Sequence, residues 1–373
     1  MKLVLKSNRF LMCLKVLIAI LIFIATVELL SRAYFEKMVN FSYAAVYRQA
    51  EIQLKIFEEH PFLLGSPKAS ITEKIQLVDS DRIMEITHSK FHTRGNYYSV
   101  SGKNHVFGMV GGSIVYGTAL NDQETWPSVF FEKTNRRYTV YNFGVPGYST
   151  LENIIQTATV LPDLKVSHAI FLIGYNDAQS AYIKNLEADY SDFHGKLQFQ
   201  LFRGFFRNFP NLSRSAAMFF LASAFESRQY LYQSPSQIAL NVGISRSELA
   251  INRGLGVYEN NIKSLIYLCR AHGIVPIFVP QTLSPDKYSY ARSGIYWIAG
   301  VNSQEEIGEL VKLYNLQLKK ITTNEKALYA DLLDVKYSNE DFVDVVHFSP
   351  TGVKKFVQAL VSYLNRVGTI KIE

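Results

Sequence analysis

The sequence predicts an α/β fold: a parallel sheet covered by helices on both faces, preceded by one membrane-spanning helix and interrupted by a helical insertion. Three observations carry this. Short, nearly continuous apolar runs recur along the chain, at 105–110, 138–143, 168–173, 274–279 and 327–333. Segments of helical pattern alternate with them, at 151–161, 258–272, 304–320 and 349–365. Strands without a polar face belong to sheets buried on both sides, and their alternation with helices points to parallel pairing. The third observation is N-terminal. Residues 10–30 read FLMCLKVLIAILIFIATVELL, about the 20 residues that a helix needs to cross a hydrocarbon core.

Each segment can be justified in order. Lys2, Lys6 and Arg9 precede the apolar run, so its N-terminus is expected to stay in the cytoplasm and the rest of the chain to be translocated. Lys15 lies near the cytoplasmic end, where its long side chain can snorkel. A cleaved signal peptide is the rival reading, although Ser31-Arg32-Ala33 matches a small-x-small cleavage site poorly. Both readings put the body of the protein outside the cytoplasm, in the periplasm or at the cell surface. Residues 1–32 are thus read as cytoplasmic tail and anchor. Residues 33–104 are read as an amphipathic helical stalk followed by an irregular or small β linker, punctuated by Pro61, Gly65, Pro67 and Gly95. Residues 105–366 form the main domain, and 367–373 a C-terminal tail.

Within the main domain, residues 178–252 break the strand–helix rhythm. They hold Phe199, Phe202, Arg203, Phe205, Phe206, Arg207 and Phe209. Inserted after a strand end, this stretch is read as a mostly helical lid over the site. Packing against the core and a membrane-facing patch are the other readings, since aromatic residues with arginine suit an interface. Ser349 and Pro350 open the last helix as N-cap and first helical residue.

Composition excludes several classes. The net charge is +7, but much of it lies in the first 40 residues, where six basic side chains face only Glu28 and Glu36. The remainder carries no basic stripe suited to nucleic acid. The two cysteines, Cys13 and Cys269, are too few for a disulfide scaffold or a Cys-rich zinc site. His88 and His92 could share a helix face, but no third ligand lies near them.

In parallel sheets the site lies beyond the carboxyl ends of the strands. Ser113, Gly147, Asn176 and His347 all follow predicted strands. Covalent ester chemistry needs a nucleophile, a base, an orienter for the base and donors for the oxyanion. Ser113 follows a strand and two glycines, which let the backbone turn so that its Oγ and N–H face the crevice. The pattern is not G-x-S-x-G, because position 115 is Val115. It is not a phosphate loop, because no Gly-Lys-Ser/Thr follows. Asp344 and His347 form D-x-x-H in DVVHFSPTG. Asp344 can accept from the imidazole Nδ1–H and leave Nε2 free for the Ser113 proton. His347 Nε2 and Ser113 Oγ should then lie about 2.6–3.2 Å apart. Asn176, in Gly174-Tyr175-Asn176-Asp177, offers a neutral side-chain donor, and Gly147 a backbone N–H. His168 and Asp177 are read as structural. Arg253 and Gln281, at element ends, are read as possible substrate contacts.

Each signal is weak alone, but their order and spacing together resemble the SGNH hydrolases, also called GDSL esterases and lipases. The four blocks are GGSIVYG with Ser113, NFGVPGYS with Gly147, GYND with Asn176, and DVVH with Asp344 and His347. Trp126-Pro127 after the first block is similar too. The likeness covers roughly 105–190 and 253–366. It implies a flavodoxin-like three-layer α/β/α sandwich, Ser113 as nucleophile, and Asp344 orienting His347. It also implies an oxyanion hole of the Ser113 N–H, the Gly147 N–H and the Asn176 side chain, with no metal or organic cofactor. One departure is Gly112, where the family commonly has Asp. The anchor and its flank from Glu28 to Arg32 look like membrane-anchored bacterial members, several of which act on acylated surface polysaccharides.

The expected activity is therefore hydrolysis or transfer of an O-acyl ester, most plausibly O-acetyl on a glycan. A lipid or lysophospholipid ester is the alternative substrate. A catalytically idle glycan-binding module of the same fold is the alternative of a different class, motivated by Gly112.

Overall fold

The computed structural model of the chain describes residues 2–39, 42–63, 65–76, 82–95, 105–190, 205–225, 243–288, 301 and 303–371. Helix α1 (Lys2–Val39) continues the apolar run in one piece. Its segment Phe10–Lys37 is long and apolar enough to cross a membrane, and the most apolar window is unburied. Ser42 then caps α2 (Tyr43–Ile56), its side chain accepting from the Ala45 N–H. Two short strands, β1 (Phe57–Glu58) and β2 (Ser66–Pro67), pair antiparallel. A hairpin follows, β3 (Ile71–Gln76) with β4 (Ile83–His88).

Residues 33–95 differ from the expected stalk and linker. Phe35, Tyr43, Ala50 and Ile56 are buried. In β4 the buried side chains are Met84, Ile86 and His88, the period of two that a half-buried strand requires. Ile75, Met84 and Ile86 pack with Tyr116, Val145 and Tyr148 of the main domain. The breakers at 61–67 lie at and between short paired strands, as in the small β alternative, but the region is packed on the main domain.

The main sheet has five strands: β5 (Val106–Gly111), β6 (Thr139–Asn142), β7 (His168–Leu172), β8 (Val275–Val279) and β9 (Leu328–Tyr329). Their order is β6-β5-β7-β8-β9, and every pair is parallel. Counted within the sheet this is 2-1-3-4-5, the flavodoxin-like order, whose switch point lies between the first and third strands. All five residues of β7 are buried, as expected of a central strand under two layers.

After β5 come α3 (Ser113–Tyr116) and α4 (Trp126–Lys133), and after β6 comes α5 (Thr150–Asp163). After β7 come α6 (Tyr175–Ala178), α7 (Phe205–Asn208) and α8 (Ala216–Phe225). Helices α9 (Glu248–Ala271), α10 (Gln304–Asn324) and α11 (Pro350–Arg366) complete the series. On one face α4 packs against α11, with Trp126 edge-on to Phe356 at 5.4 Å. On the other, α9 lies between α5 and α10.

Helix α9 begins ten residues before the sequence pattern suggests. Gly254 and Gly256 obscure the pattern, yet Gly254 is needed: an added Cβ would sit 3.1 Å from the Tyr314 hydroxyl and 3.3 Å from Ala181 Cα. Arg253 is therefore mid-helix and exposed, with Nε donating to the Leu186 carbonyl at 2.9 Å. It does not line the crevice, contrary to its reading as an element-end contact.

The insertion also differs from a lid where it is described. Helix α8 packs along α1 and against the 212–214 turn. Phe219 stands edge-on to Phe35 at 5.6 Å. A ten-residue helix without a charge needs an apolar partner, and the C-terminal end of α1 supplies it. Phe199, Phe202 and Arg203 lie outside the described residues.

Candidate active site

Parallel register brings the site together. Gly111 pairs with Leu172, and Leu172 with Val279. Ser113, Gly174 and Gln281 each lie two residues past those partners, so three strand exits open at one level. Ser113 is the first residue of α3, and the chain enters it through Gly111-Gly112. A Cβ on Gly111 would lie 2.4 Å from the Leu172 carbonyl oxygen. A Cβ on Gly112 would lie 2.5 Å from Asn176 Nδ2 and 3.3 Å from the Tyr148 carbonyl oxygen. The first, second and third sequence blocks thus converge on the Cα of Gly112, where a side chain would displace the Asn176 amide.

Ser113 Oγ is 2.7 Å from His347 Nε2. His347 Nδ1 is 2.7 Å from Asp344 Oδ2. The other carboxylate oxygen, Oδ1, accepts the backbone N–H groups of Val346 and His347, each at 2.9 Å. A carboxylate tied to its own loop in this way has one oxygen left to orient the ring. Since a carboxylate only accepts, Nδ1 carries the proton and Nε2 presents a lone pair to Ser113. His347 is 2% exposed, so little water competes for these contacts. Burial pulls the Asp344 carboxyl upward, but the His347 charge and the hydrogen bonds from His347 and Val346 outweigh it, leaving it below the ordinary value. It therefore serves as an ionised acceptor for the imidazole N–H.

Asn176 Nδ2 donates to the Tyr148 carbonyl at 2.8 Å, which fixes the amide in the wall of the crevice. Gly147 holds a left-handed φ of 87°, in the same loop as Tyr148. Ser149 and Glu152 form a capping box at the start of α5, which anchors that loop. Asp177 is buried and accepts from the Thr150 N–H at 3.2 Å and the Tyr190 hydroxyl at 3.0 Å, binding the exit of β7 to α5. Gln281 is buried and lines the crevice with Ser113, Tyr148 and Asn176. Its backbone exchanges hydrogen bonds with the Asn315 side chain at 2.9 and 2.8 Å.

Sequence reasoning missed Arg94 and the role of His88. Arg94 is 1% exposed. Its Nε donates to Asp122 Oδ1 at 3.0 Å, and its Nη1 to the carbonyls of Tyr116 and Gly117 at 2.8 and 2.6 Å. Its Nη2 donates to the Leu120 carbonyl. One guanidinium thus satisfies the end of the helix that Ser113 begins. His88 Nδ1 faces the Lys68 carbonyl at 3.2 Å and Nε2 the Tyr116 hydroxyl at 2.9 Å. The carbonyl can only accept, so Nδ1 is the protonated nitrogen and the phenol donates to Nε2. His92 Nδ1 turns instead to the Pro67 carbonyl at 2.7 Å.

Burial, with the Arg94 charge behind it, pushes His88 down to about 3. Below its ordinary value, near 6.5, the unfolded chain binds a proton that the folded chain refuses. Stability should therefore fall as pH drops from about 6.5 toward 3. His88→Gln removes that linkage. Thermal melts from pH 7 to pH 4 should show the wild-type Tm falling more steeply than the variant's, and parallel slopes would refute this assignment.

No protein-family model matches the chain, and no curated protein matches it. Solved structures do. The lipase/acylhydrolase from Enterococcus faecalis is 14% identical, with a TM-score of 0.42 over 72% of this chain and 99% of that one. A psychrotrophic esterase from Pseudoalteromonas sp. is 10% identical, with a TM-score of 0.41 over 71% of this chain and 100% of that one. A variant of an acetyl-xylooligosaccharide esterase from Geobacillus is 13% identical, with a TM-score of 0.40 over 72% and 96%. By its own strand order, and by the four blocks that its sheet brings to one edge, the chain has the fold of the SGNH, or GDSL, hydrolases.

Proposed function

We propose that this protein is a membrane-tethered, extracytoplasmic serine enzyme that hydrolyses or transfers a small O-acyl group, O-acetyl on a glycan. The observation that carries the reading is the continuous relay from Ser113 Oγ through His347 to Asp344, in two contacts of 2.7 Å. Ser113 Oγ attacks the ester carbonyl while His347 Nε2 takes its proton. The oxyanion is held by the N–H groups of Ser113 and Gly147 and by the Asn176 amide. Collapse expels the alcohol, which takes the proton from His347, and leaves an acyl-Ser113 ester. Water or a sugar hydroxyl then attacks that ester, again giving its proton to His347, and Ser113 is restored.

Ile114, Leu172, Tyr175 and Gln281 line the crevice beside Ser113, and the choice between acetyl and a lipid ester is made by chain-length preference in turnover. The outer location rests on α1 and on Lys2, Lys6 and Arg9 before its apolar run.

The test uses the full chain in detergent micelles. A fluorophosphonate probe should label it on Ser113, and p-nitrophenyl acetate should be turned over at least about tenfold faster, in kcat/KM, than the octanoate. Labelling without hydrolysis would assign the transfer reaction. Absence of labelling would sink the enzyme reading in favour of an idle glycan-binding domain.

A further inference from the structure

A carboxylate in the anchor helix has partners that no spanning helix needs on its own. Glu28 Oε2 accepts from the Ser215 hydroxyl at 2.6 Å, and the carboxylate also accepts the N–H groups of Ala216 and Ala217, each at 3.1 Å. Arg32 Nε donates to Glu28 at 2.7 Å, and Arg32 Nη2 to the Arg214 carbonyl at 2.9 Å. The Tyr43 hydroxyl donates to the Ser213 carbonyl at 2.7 Å. The anchor thus caps the N-terminus of α8, and the turn before α8 is pinned at the level of Glu28.

Helix geometry fixes that level. Between Lys15 and Glu28 the chain has no charged residue. At 1.5 Å per residue, a hydrocarbon core of about 30 Å that begins near Phe10 ends near Leu30. Glu28 and Arg32 therefore straddle the outer boundary, and whatever they hold lies there too. The pinned turn is compact, with the Ser213 N–H bonded to the Phe209 carbonyl at 2.8 Å and the Ser215 N–H to that of Leu212 at 3.0 Å. Phe209 and Leu212 are 44% and 45% exposed. Arg207 and Arg214 beside them are exposed as well, Arg207 paired with Glu59 at 3.0 Å and Arg214 Nε donating to the Tyr47 hydroxyl at 3.1 Å. Apolar side chains interleaved with arginines are the composition of a surface seated among headgroups.

We infer that the turn Phe209–Ser215 is a second membrane contact, seated in the outer headgroup layer of the bilayer that α1 crosses, an inference that rests on α1 being the anchor. Phe209 and Leu212 enter the acyl boundary, the exposed arginines lie at the level of the headgroups, and Glu28 holds the turn in place.

The full chain, with Cys13 and Cys269 changed to Ala, is reconstituted in vesicles of equal phosphatidylcholine and phosphatidylglycerol. A nitroxide is attached through Ile20→Cys, Leu212→Cys or Lys354→Cys, and its collisions with oxygen and with a water-soluble nickel chelate are measured. Position 20 should favour oxygen, position 354 nickel, and position 212 should meet nickel about threefold less often than 354 while staying open to oxygen. Adding Glu28→Ala should raise nickel access at 212 to the level of 354 and leave 20 unchanged. If 20 is aqueous, the anchor reading fails and this inference with it. If 20 is in lipid but 212 matches 354, the inference alone is overturned. Shielding of 212 from both reagents would mean a protein partner there, and also overturns it.

Discussion

Ser113→Ala is expected to reduce turnover of p-nitrophenyl acetate by about 10⁴-fold or more, with KM nearly unchanged. The hydroxyl is the only atom removed, and it is the atom on which the relay ends. Ser113 is half-buried at the start of α3, where the Gly117 N–H bonds to its carbonyl at 2.9 Å. The helix start depends on that backbone contact, so folding should change by no more than about 0.5 kcal/mol. His347→Ala should cost a similar factor, and the double variant little more than either, because the two groups act as one unit. Initial rates on the purified variants decide this. Activity surviving in Ser113→Ala within about tenfold of wild type would remove Ser113 as nucleophile.

Arg94→Met is expected to give the largest loss of stability, about 3–5 kcal/mol. The guanidinium is out of contact with water and lies 4.5 Å from the centre of the Tyr116 ring. Its removal takes the guanidinium from Asp122 Oδ1 and one donor each from the carbonyls of Tyr116, Gly117 and Leu120. Asp122 Oδ2 still accepts the Thr87 N–H at 2.8 Å, so the carboxylate stays buried with half its contacts. For a domain of this size the loss corresponds to roughly 10 °C in Tm. Circular dichroism melts check it. Arg94→Met with Asp122→Asn should recover part of the difference, since the stranded charge is gone. A Tm within about 2 °C of wild type would show that the turn after Ser113 stands without this brace.

The sheet was legible because strands buried on both sides are written as uninterrupted apolar runs: β6, β7, β8 and β9 lie within the runs read from the sequence, and β5 passes its run by one residue. Their order was not written there; it came with the family likeness of the four blocks. Asp344 and His347 were readable because three residues of spacing in one loop determine their mutual reach. Arg94 was not, because its partners are mostly main-chain carbonyls, and a carbonyl leaves no trace in a sequence. His88 and His92 were set aside as metal ligands for want of a third, but the role of His88 stayed hidden because spacing alone cannot tell which way a ring turns on a strand. The start of α9 was hidden by two glycines, one of them present for a contact with α10. The insertion was read as a lid from its position after β7, whereas the placement of α8 is decided by Glu28, far away in the chain.

The closeness of Gly112 to Asn176 couples two blocks of the chain. With Gly at 112, the amide of Asn176 occupies the space that a Cβ would take. A side chain introduced at 112 must displace that amide, which donates to the Tyr148 carbonyl, so one substitution in the first block would be felt in the second and third.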